Sequence, residues 1–242
     1  MIRPNRATQH LSGITAAILA GGLGTRLRSV VSDRPKVLAE VRGRPFLSYL
    51  LDQLAAAGIR YVVLCIGYLG EQVKAEFGNT YGGLHLVYSQ ESSPIGTAGA
   101  LRWALPLFES DPVLVMNGDS FCQVELRDFF SWHLAQNANA SLVLTEVRNM
   151  QRYGRVNVDV DGHVLSFVEK DERSGPGWIN AGIYLINRRL LLTIPESGGV
   201  SLEEEMFPAW IDQGLYGYRS KGRFLDIGTP ETYGIAEEFV FL

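Results

Sequence analysis

The sequence predicts an α/β protein of the Rossmann-like type, with a mostly parallel sheet sandwiched by helices. Three observations support this fold class. Short apolar runs, such as residues 61–66, are typical of strands buried on both faces of a parallel sheet. Amphipathic stretches of helical length separate these runs, as the crossovers between parallel strands require. The 242 residues, of which 46% are hydrophobic, suit one large domain with a single core.

The first half of the chain supplies the alternating strands and helices. A buried strand is predicted at residues 14–19, after a flexible N-terminal arm at residues 1–13. A helix at 45–57 has Pro45 in its first turn and Gly58 as its stop. The predicted elements that follow are strand 61–66, helix 71–77, strand 84–89, helix 97–108, strand 112–116, helix 129–136 and strand 141–147.

The second half has a different pattern, which predicts a small mixed lobe. Alternating residues on either side of Asp161-Gly162 indicate a hairpin. Ser201 and Glu204 have the spacing of a capping box at the start of a helix. The predicted elements are strands 155–160, 164–170, 178–186 and 223–227, a helix at 201–213 and a last helix that opens at Thr229.

Charge and composition exclude several classes of partner. The net charge of −4 and the pI of about 5.6 argue against nucleic acid and acidic membranes, since both need a strongly basic face. No segment approaches the roughly 20 apolar residues of a membrane span. Cys65 and Cys122 lack the spacing of a zinc or disulfide framework, which favours a reducing cytoplasm. From Arg26 to Arg44, however, six basic residues outnumber two acids, so a compact anion is expected there.

The first strand is followed by a glycine-rich loop, Leu19-Ala20-Gly21-Gly22-Leu23-Gly24-Thr25-Arg26-Leu27. Ligands of α/β sheets bind at the carboxyl ends of strands, and glycines let backbone amides approach phosphate oxygens. Arg26 adds a charged fork suited to phosphate. The Walker loop does not match, because GK[ST] is absent, and Leu27 stands where the dinucleotide fingerprint needs a small residue. A plain glycine turn with a solvated arginine is the alternative for this loop alone.

Three charged residues strengthen the interpretation as a triphosphate site. Lys36 comes ten residues after Arg26, a distance that lets the chain fold back over the same phosphates. Asp119 ends a central strand and Asp226 lies in an apolar one, where a carboxylate is costly unless it is paired or holds a metal. The two acids together predict a Mg²⁺ site. The ordinary alternatives are a surface lysine at Lys36 and a simple Asn-Gly turn before Asp119.

These motifs resemble those of the nucleotidyltransferases that make nucleotide sugars. The family's G-G-x-G-T-R-L, P-K, G-D, E-K and late Asp correspond, in the same order, to residues 21–27, Pro35-Lys36, Gly118-Asp119, Glu169-Lys170 and Asp226. The resemblance covers residues 14–240, nearly the whole chain. It implies one domain at 14–242, with a nucleotide-binding part at 14–150 and a mainly sugar-binding part at 151–225.

The resemblance also implies a role for each matching residue. Catalysis would fall to Arg26, Lys36, Asp119 and Asp226, with the two aspartates as ligands of Mg²⁺. The nucleoside triphosphate would be bound by Leu19, Ala20, Gly21, Gly22, Gly24, Thr25, Gln90, Gly96 and Thr97. The sugar 1-phosphate would be bound by Asn117, Gly118, Tyr153, Gly154, Glu169, Lys170 and Asn180. From the residues alone, strand-end surface charge stays open for Glu169-Lys170.

Within the family, the runs 94–99, 115–121 and 224–233 are most similar to D-glycero-α-D-manno-heptose 1-phosphate guanylyltransferases. The similarity implies GTP and heptose 1-phosphate as substrates, and GDP-heptose and pyrophosphate as products. Mannose, glucose or N-acetylmuramate 1-phosphate with a guanylyl, uridylyl or thymidylyl donor stays open, because one glutamine can hydrogen-bond several bases. Self-association is common in such relatives, so a homo-oligomer is possible.

Two other classes of protein fit less well. A non-catalytic nucleotide-sugar sensor would keep the fold but lose Lys36 or one aspartate, and all three residues are present. A dinucleotide-dependent oxidoreductase would need an intact fingerprint and an acid after the second strand, where Ile66-Gly67-Tyr68 stands instead.

Overall fold

The computed structural model describes residues 11–150, 153–168 and 175–239. Its strands are β1 Thr15–Ala20, β2 Glu40–Val41, β3 Arg44–Pro45, β4 Tyr61–Ile66, β5 Thr80–Tyr81, β6 Leu84–Gln90, β7 Val113–Asn117, β8 Ser120–Cys122, β9 Ala140–Val147, β10 Arg155–Val158, β11 Val164–Val168, β12 Gly177–Ile186, β13 Leu215–Ser220 and β14 Phe224–Asp226. Its α-helices are α1 Phe46–Ala57, α2 Gly70–Phe77, α3 Gly96–Ala104, α4 Leu126–Ala135, α5 Arg188–Leu191, α6 Phe207–Trp210 and α7 Pro230–Gly234. Glu169 and Lys170 lie outside the described residues.

One sheet organises the described part of the chain. Its strand order is β11-β10-β12-β7-β1-β4-β6-β5, and β9 and β13 extend it from β12. Strands β7, β1, β4 and β6 run parallel, and β12 is antiparallel to β7. The carboxyl ends of the four parallel strands therefore meet along one edge, which is where α/β proteins bind their ligands.

Apolar clusters cover both faces of this sheet, which explains the continuous apolar runs. In β1, Ala16 and Ile18 belong to one cluster and Ala17 to the other. The first cluster includes side chains of α1 and α4, and the second includes side chains of α3, α5 and α6. The predicted fold class, a mostly parallel sheet sandwiched by helices, is confirmed.

The mixed lobe of the second half is continuous with this sheet. Strand β12 pairs with both β7 and β9, and the hairpin β10-β11 lies beside β12. Strand β13 runs parallel to β9, and a bridge between His163 and Tyr216 joins the hairpin region to β13. The lobe thus extends the sheet beyond β12.

Prolines shorten two of the predicted helices. The helix predicted at 97–108 ends at Ala104 and continues as a 3₁₀ turn that contains Pro106. The helix predicted at 201–213 begins with a wide π turn at Leu202–Met206, followed by α6 and another 3₁₀ turn. Pro208 has no N–H to donate to residue 204, so a regular α-helical ladder is broken there.

The wide turn also changes the predicted capping box. Ser201 Oγ accepts hydrogen bonds from the backbone N–H groups of Glu203 and Glu204, as an N-cap should. The Ser201 N–H donates the reciprocal hydrogen bond to the carboxylate of Glu205, at 2.9 Å, rather than to that of Glu204. The extra residue in the π turn brings Glu205 to the position that Glu204 would hold in an α-helix.

Part of the predicted N-terminal arm is packed. Leu11–Gly13 form a 3₁₀ turn, and Leu11 is buried in the core, so the arm prediction is wrong for these residues. Sequence analysis also missed β13 and β8; β8 pairs with β14 through only three residues. None of the helices within the described ranges has both the length and the apolar character needed to cross a membrane.

Candidate active site

The ends of β1 and β7 form the centre of the site. Leu19 of β1 pairs with Asn117 of β7, and the Gly118 N–H donates a 2.9 Å hydrogen bond to the Leu19 carbonyl. A Cβ at Gly118 would lie 2.7 Å from that carbonyl oxygen, so only glycine allows this close approach. The glycine-rich loop and Asp119 therefore leave the sheet side by side.

Pairing of two short strands brings Asp226 to Asp119. Asp226 lies opposite Ser120 in the β8–β14 pair, and the Ile227 N–H donates to the Asp119 carbonyl at 3.0 Å. Burial raises the pKa of the Asp226 carboxyl above its usual range, and the Asp119 charge raises it further. The charges of Lys36 and Arg26 and a hydrogen bond from Gly228 N–H oppose this shift. Asp226 is thus a partly buried acid that favours a nearby cation.

Lys36 supplies one such cation. It lies in the turn Lys36–Leu38 after Pro35, and its ammonium forms a close ion pair with Asp119 Oδ2. A Cβ at Gly24 would be 3.3 Å from the Lys36 Cβ, so the glycine-rich loop rests on the lysine stem. The chain does fold back over the loop, as the spacing of Arg26 and Lys36 suggests.

A cavity of about 230 Å³, here called the glycine-loop pocket, opens beside the loop. The start of α3 closes its far side, with Gly96 and Thr97 on the wall. The full lining consists of Leu19, Gly21, Gly22, Leu23, Cys65, Glu91, Pro94, Gly96, Thr97, Ala100, Asn117 and Asp119.

Gln90, the predicted base-reading residue, does not line this pocket. Its side chain is exposed, and its Oε1 accepts a 2.7 Å hydrogen bond from Lys74 Nζ. The next residue, Glu91, has left the strand and lines the pocket instead, with Oε1 about 3.0 Å from the place a Cβ on Gly21 would occupy. Burial raises the pKa of Glu91, and a hydrogen bond from the Ile95 N–H opposes the shift. The Glu91 N–H still donates a 3.0 Å hydrogen bond to the Ile66 carbonyl, so the alternation that points neighbouring side chains in opposite directions continues one residue past β6.

A second cavity of about 370 Å³, here called the Asn180 pocket, adjoins the first. The two cavities share Thr97, Asn117 and Asp119. The full lining of the second consists of Arg26, Thr97, Asn117, Asp119, Ser120, Tyr153, Gly154, Asn180, Gly182, Ser201, Glu203, Glu204, Phe224 and Asp226.

The floor of the Asn180 pocket is polar. The amide of Asn180 donates a 2.8 Å hydrogen bond to the Tyr184 hydroxyl and accepts one of 3.0 Å from the Gly182 N–H. Asn117 Oδ1 and Ser120 Oγ are buried with no hydrogen-bond partner among the described residues. Unpaired buried acceptors and hydroxyls are costly, so this floor suits a ligand rich in hydroxyl groups.

The structure brings most of the predicted site residues together. Outside both linings are Ala20, Gly24, Thr25, Lys36, Gln90 and Gly118. Lys36 still reaches the site through Asp119, whereas Gln90 does not. Sequence reasoning missed Glu91, Ser120, Ser201, Gly182, Glu203, Glu204 and Phe224, and only the Ser201–Glu204 spacing gave a signal, which was interpreted as a helix cap.

The acidic residues suit one kind of metal ion. No group of three or more His, Cys, Asp or Glu side chains forms a ligand cluster in the parts of the chain described by the structure. Two neighbouring carboxylates, Asp119 and Asp226, are a poor set for zinc. They fit Mg²⁺, which binds proteins through one or two carboxylates and takes its other ligands from water and phosphate.

These features define a class of protein: an α/β domain in which two adjoining pockets, one beside a glycine-rich loop and one lined by polar side chains, share a carboxylate. Comparison with known families makes the class specific. The sequence model of the nucleotidyl transferase family matches residues 15–241, and the chain belongs to that family.

Individual relatives are similar over almost the whole chain. D-glycero-alpha-D-manno-heptose 1-phosphate guanylyltransferase of Aneurinibacillus thermoaerophilus is 38% identical over 92% of this chain and 96% of its own length. Mannose-1-phosphate guanylyltransferase of Mycobacterium tuberculosis is 36% identical over 91% of this chain but 62% of its own length. The crystal structure of HddC from Yersinia pseudotuberculosis is 32% identical, with a TM-score of 0.83 and coverage of 93% and 98%. The same protein has been solved in complex with GMP-PN.

Proposed function

We propose that this protein transfers a guanylyl group from GTP to D-glycero-α-D-manno-heptose 1-phosphate, which yields GDP-heptose and pyrophosphate. The observation that carries the proposal is the pair of adjoining pockets that share Asp119. A nucleotide bound along the glycine-rich loop and a sugar phosphate bound beside Asn180 would have their reacting phosphates at that common wall.

The reaction requires positioning and charge rather than a base. The phosphate oxygen of a sugar 1-phosphate is already anionic, so it attacks the α-phosphorus directly. One P–O bond forms there, the bond to the bridging α,β-oxygen breaks, and pyrophosphate leaves with the electron pair. Lys36 and Arg26 neutralise the phosphates, and the glycine-rich loop orients the triphosphate.

Asp119 and Asp226 would hold Mg²⁺. When bound, the ion supplies charge neutralisation to the phosphates that meet at the shared wall. Without the ion, the two neighbouring carboxylates would repel the triphosphate. The positive charges of the ion and of Lys36 would together neutralise the carboxylates.

Glu91 is the base-reading residue in this proposal. A carboxylate only accepts hydrogen bonds, and guanine presents two adjacent donors, N1–H and the 2-amino group, on its Watson–Crick edge. Uracil and thymine present a single N–H between two carbonyl acceptors, which a carboxylate repels. The position of Glu91 in the glycine-loop pocket supports GTP over UTP or dTTP.

The choice of heptose rests on similarity. The heptose 1-phosphate enzyme of A. thermoaerophilus and the present chain align over 96% of the relative's length. The mannose 1-phosphate enzyme of M. tuberculosis is nearly as similar, at 36% identity, so mannose 1-phosphate is the second candidate acceptor.

A substrate panel tests the proposal. The protein is incubated with Mg²⁺ and every pairing of GTP, UTP, dTTP or ATP with heptose, mannose, glucose or N-acetylmuramate 1-phosphate, and pyrophosphate release is followed. We expect the highest kcat/KM with GTP and heptose 1-phosphate. Pyrophosphate release with mannose 1-phosphate but not with heptose 1-phosphate would make mannose 1-phosphate the acceptor. No pyrophosphate release with any pair would favour a non-catalytic sensor.

The thiols fit a reducing cytoplasm. Cys65 and Cys122 are free and buried, and burial raises the pKa of each thiol to about 12. Such thiols are poor nucleophiles and metal ligands at neutral pH. A cytoplasmic location would also supply GTP and Mg²⁺.

A homo-oligomer is the further expectation for this protein, and light scattering in solution tests it.

A further inference from the structure

Glu203 lines the Asn180 pocket and lies in the wide turn that precedes α6. Thr97, which lines both pockets, donates a 2.8 Å hydrogen bond from Oγ1 to Glu203 Oε2. Ser201 Oγ donates to the same oxygen at 3.2 Å. Thr97 Oγ1 is itself fixed, because it accepts a 2.8 Å hydrogen bond from the Leu202 N–H. Glu203 Oε2 is therefore held in place by the wall between the pockets.

The other oxygen of the carboxylate faces the polar floor. The Tyr184 hydroxyl accepts hydrogen bonds from the amides of Asn180 at 2.8 Å and Asn117 at 3.3 Å, and it donates to Glu203 Oε1 at 3.4 Å. The last of these bonds is long for a hydroxyl donor. Oε1 has two lone pairs, so it keeps capacity for a shorter hydrogen bond from a ligand.

Charge decides what kind of ligand that is. Glu203 and its neighbour Glu204 both line the Asn180 pocket, and Arg26 lines it beside Asp119 and Asp226. Among the described residues, no lysine or arginine pairs with Glu203. A phosphate group would be repelled from this end of the pocket, whereas a neutral hydroxyl donor would be attracted.

We propose that Glu203 is a sugar-recognition residue whose Oε1 accepts a hydrogen bond from a ring hydroxyl of the sugar 1-phosphate. The inference rests on the proposed function, since it requires a sugar 1-phosphate in the Asn180 pocket. This hydrogen bond would orient the sugar 1-phosphate with its hydroxyl groups toward Glu203 and its phosphate toward Arg26. Thr97 belongs to α3, the helix that closes the glycine-loop pocket, and its hydroxyl holds Glu203 Oε2. A residue of the nucleotide pocket therefore positions the carboxylate that binds the sugar.

Glu203→Gln tests the inference, with Glu205→Gln as the matched control. Both changes remove one negative charge from the same turn, and Glu205 lies outside the pocket lining. We expect Glu203→Gln to lower kcat/KM for the sugar 1-phosphate by about 10- to 100-fold, mainly through KM, with GTP affinity within about twofold of wild type. Glu205→Gln should leave both values within about twofold.

A panel of monodeoxy analogues of the accepted sugar 1-phosphate identifies the hydroxyl. In the wild type, the analogue that lacks the hydroxyl bound by Glu203 should react about 10-fold or more slowly, and this penalty should shrink in Glu203→Gln. An unchanged sugar KM in Glu203→Gln would overturn the inference. Loss of GTP binding in both Glu203→Gln and the charge-conserving Glu203→Asp would also overturn it, by showing a structural role. A wild type that releases no pyrophosphate with any pair refutes the proposed function instead.

Discussion

At the scale of single residues, the site is a balance of charges at the ends of two strands. Asp226 is partly buried beside Asp119; Lys36 forms an ion pair with Asp119, and the charges of Lys36 and Arg26 both lower the pKa of Asp226. The two carboxylates thus affect the stability of the folded state differently. Asp119 gains an ion pair, whereas Asp226 loses solvation and faces a like charge. Conservative changes at these positions should therefore separate activity from stability.

Asp226→Asn and Asp119→Asn should both reduce pyrophosphate release by at least about 10²- to 10³-fold, because each removes a charge that would hold Mg²⁺ at the reacting phosphates in the proposed mechanism. Their stabilities, measured by thermal unfolding without Mg²⁺, should differ in direction. Asp226→Asn removes the repulsion and keeps an Oδ1 that can accept from Gly228 N–H, so its Tm should equal or exceed that of wild type. Asp119→Asn loses the Lys36 ion pair and should be less stable by about 1 kcal/mol. Full activity in either variant would refute the metal site.

Glu91→Gln and Gln90→Leu test which of two adjacent residues reads the base. Glu91→Gln should lower kcat/KM for GTP by about 10- to 100-fold and narrow the preference over UTP, because an amide can donate to the uracil carbonyls. Gln90→Leu removes exposed hydrogen bonds to Lys74 and Glu71, which lie outside both pockets, so its GTP kinetics should stay within about twofold. Steady-state kinetics with both nucleotides measure the effect. A larger loss in the Gln90 variant would restore the prediction made from the sequence.

At the scale of elements, α3 is seated on a neighbouring segment of the backbone. The carbonyl of Val200 accepts hydrogen bonds from the N–H groups of Ala98 and Gly99, and the Val200 N–H donates to the Ile95 carbonyl. The N–H groups of Ala98 and Gly99 near the start of the helix thus have an acceptor that lies more than 100 positions later in the sequence. Such partners are needed because the first N–H groups of a helix have none within the helix. Because Thr97 and Ser201 flank this contact, it sets the wall between the two pockets.

Gly96→Ala should break this contact. Gly96 has a φ of +79°, and a Cβ there would lie 2.2 Å from the Val200 carbonyl oxygen. Gly83 provides a matched control, since it has a φ of +83° and no atom within 4 Å of an added Cβ. We expect Gly83→Ala to lower the free energy of unfolding by about 1 kcal/mol through backbone strain alone, and Gly96→Ala by about 2–4 kcal/mol. Only Gly96→Ala should also weaken GTP binding. Denaturant titration measures the free energy of unfolding, and calorimetry measures the GTP affinity. Equal losses of stability in the two variants would show that the backbone at Val200 shifts to accommodate the added methyl group with little loss of stability.

At the scale of the whole molecule, stability comes from two apolar layers on one sheet, and polar groups inside them must be neutral or paired. His133 of α4 is buried against β9, where its Nδ1 and the Ser141 hydroxyl are 2.8 Å apart. Burial lowers the pKa of His133 to about 4, against an ordinary value of 6.5. Protonation of this ring therefore opposes the folded state.

The His133 ring should contribute a loss of stability as the pH falls from 6.5 to 4, and the raised pKa of the Asp226 carboxyl should work in the opposite direction, because the folded chain binds that proton before the unfolded chain does. In this window the unfolded chain binds a proton at His133 that the folded chain does not, so the His133 contribution to the free energy of unfolding decreases by up to about 3 kcal/mol. Urea titrations across the window measure this slope. His133→Gln keeps a polar group beside Ser141 and should gain stability relative to wild type as the pH falls, whereas His85→Gln, at an exposed position, should keep the wild-type slope. Parallel slopes for wild type and His133→Gln would contradict the assignment.

The fold class, the glycine-rich loop, Lys36 and the two aspartates could be predicted from the sequence, because buried parallel strands and phosphate chemistry demand particular residues in a local order. Which residues come into contact depends on the packing of distant segments. Side-chain alternation at the end of β6 exposes Gln90, and its continuation to the next residue puts Glu91 in the pocket. A one-residue shift of this kind is not visible in a short apolar run. Pro208 and the π turn bring Glu203 to Thr97, a contact across 106 positions that no local pattern encodes. Local spacing predicts the chemistry of a strand end, but long-range packing determines which side chains complete the site.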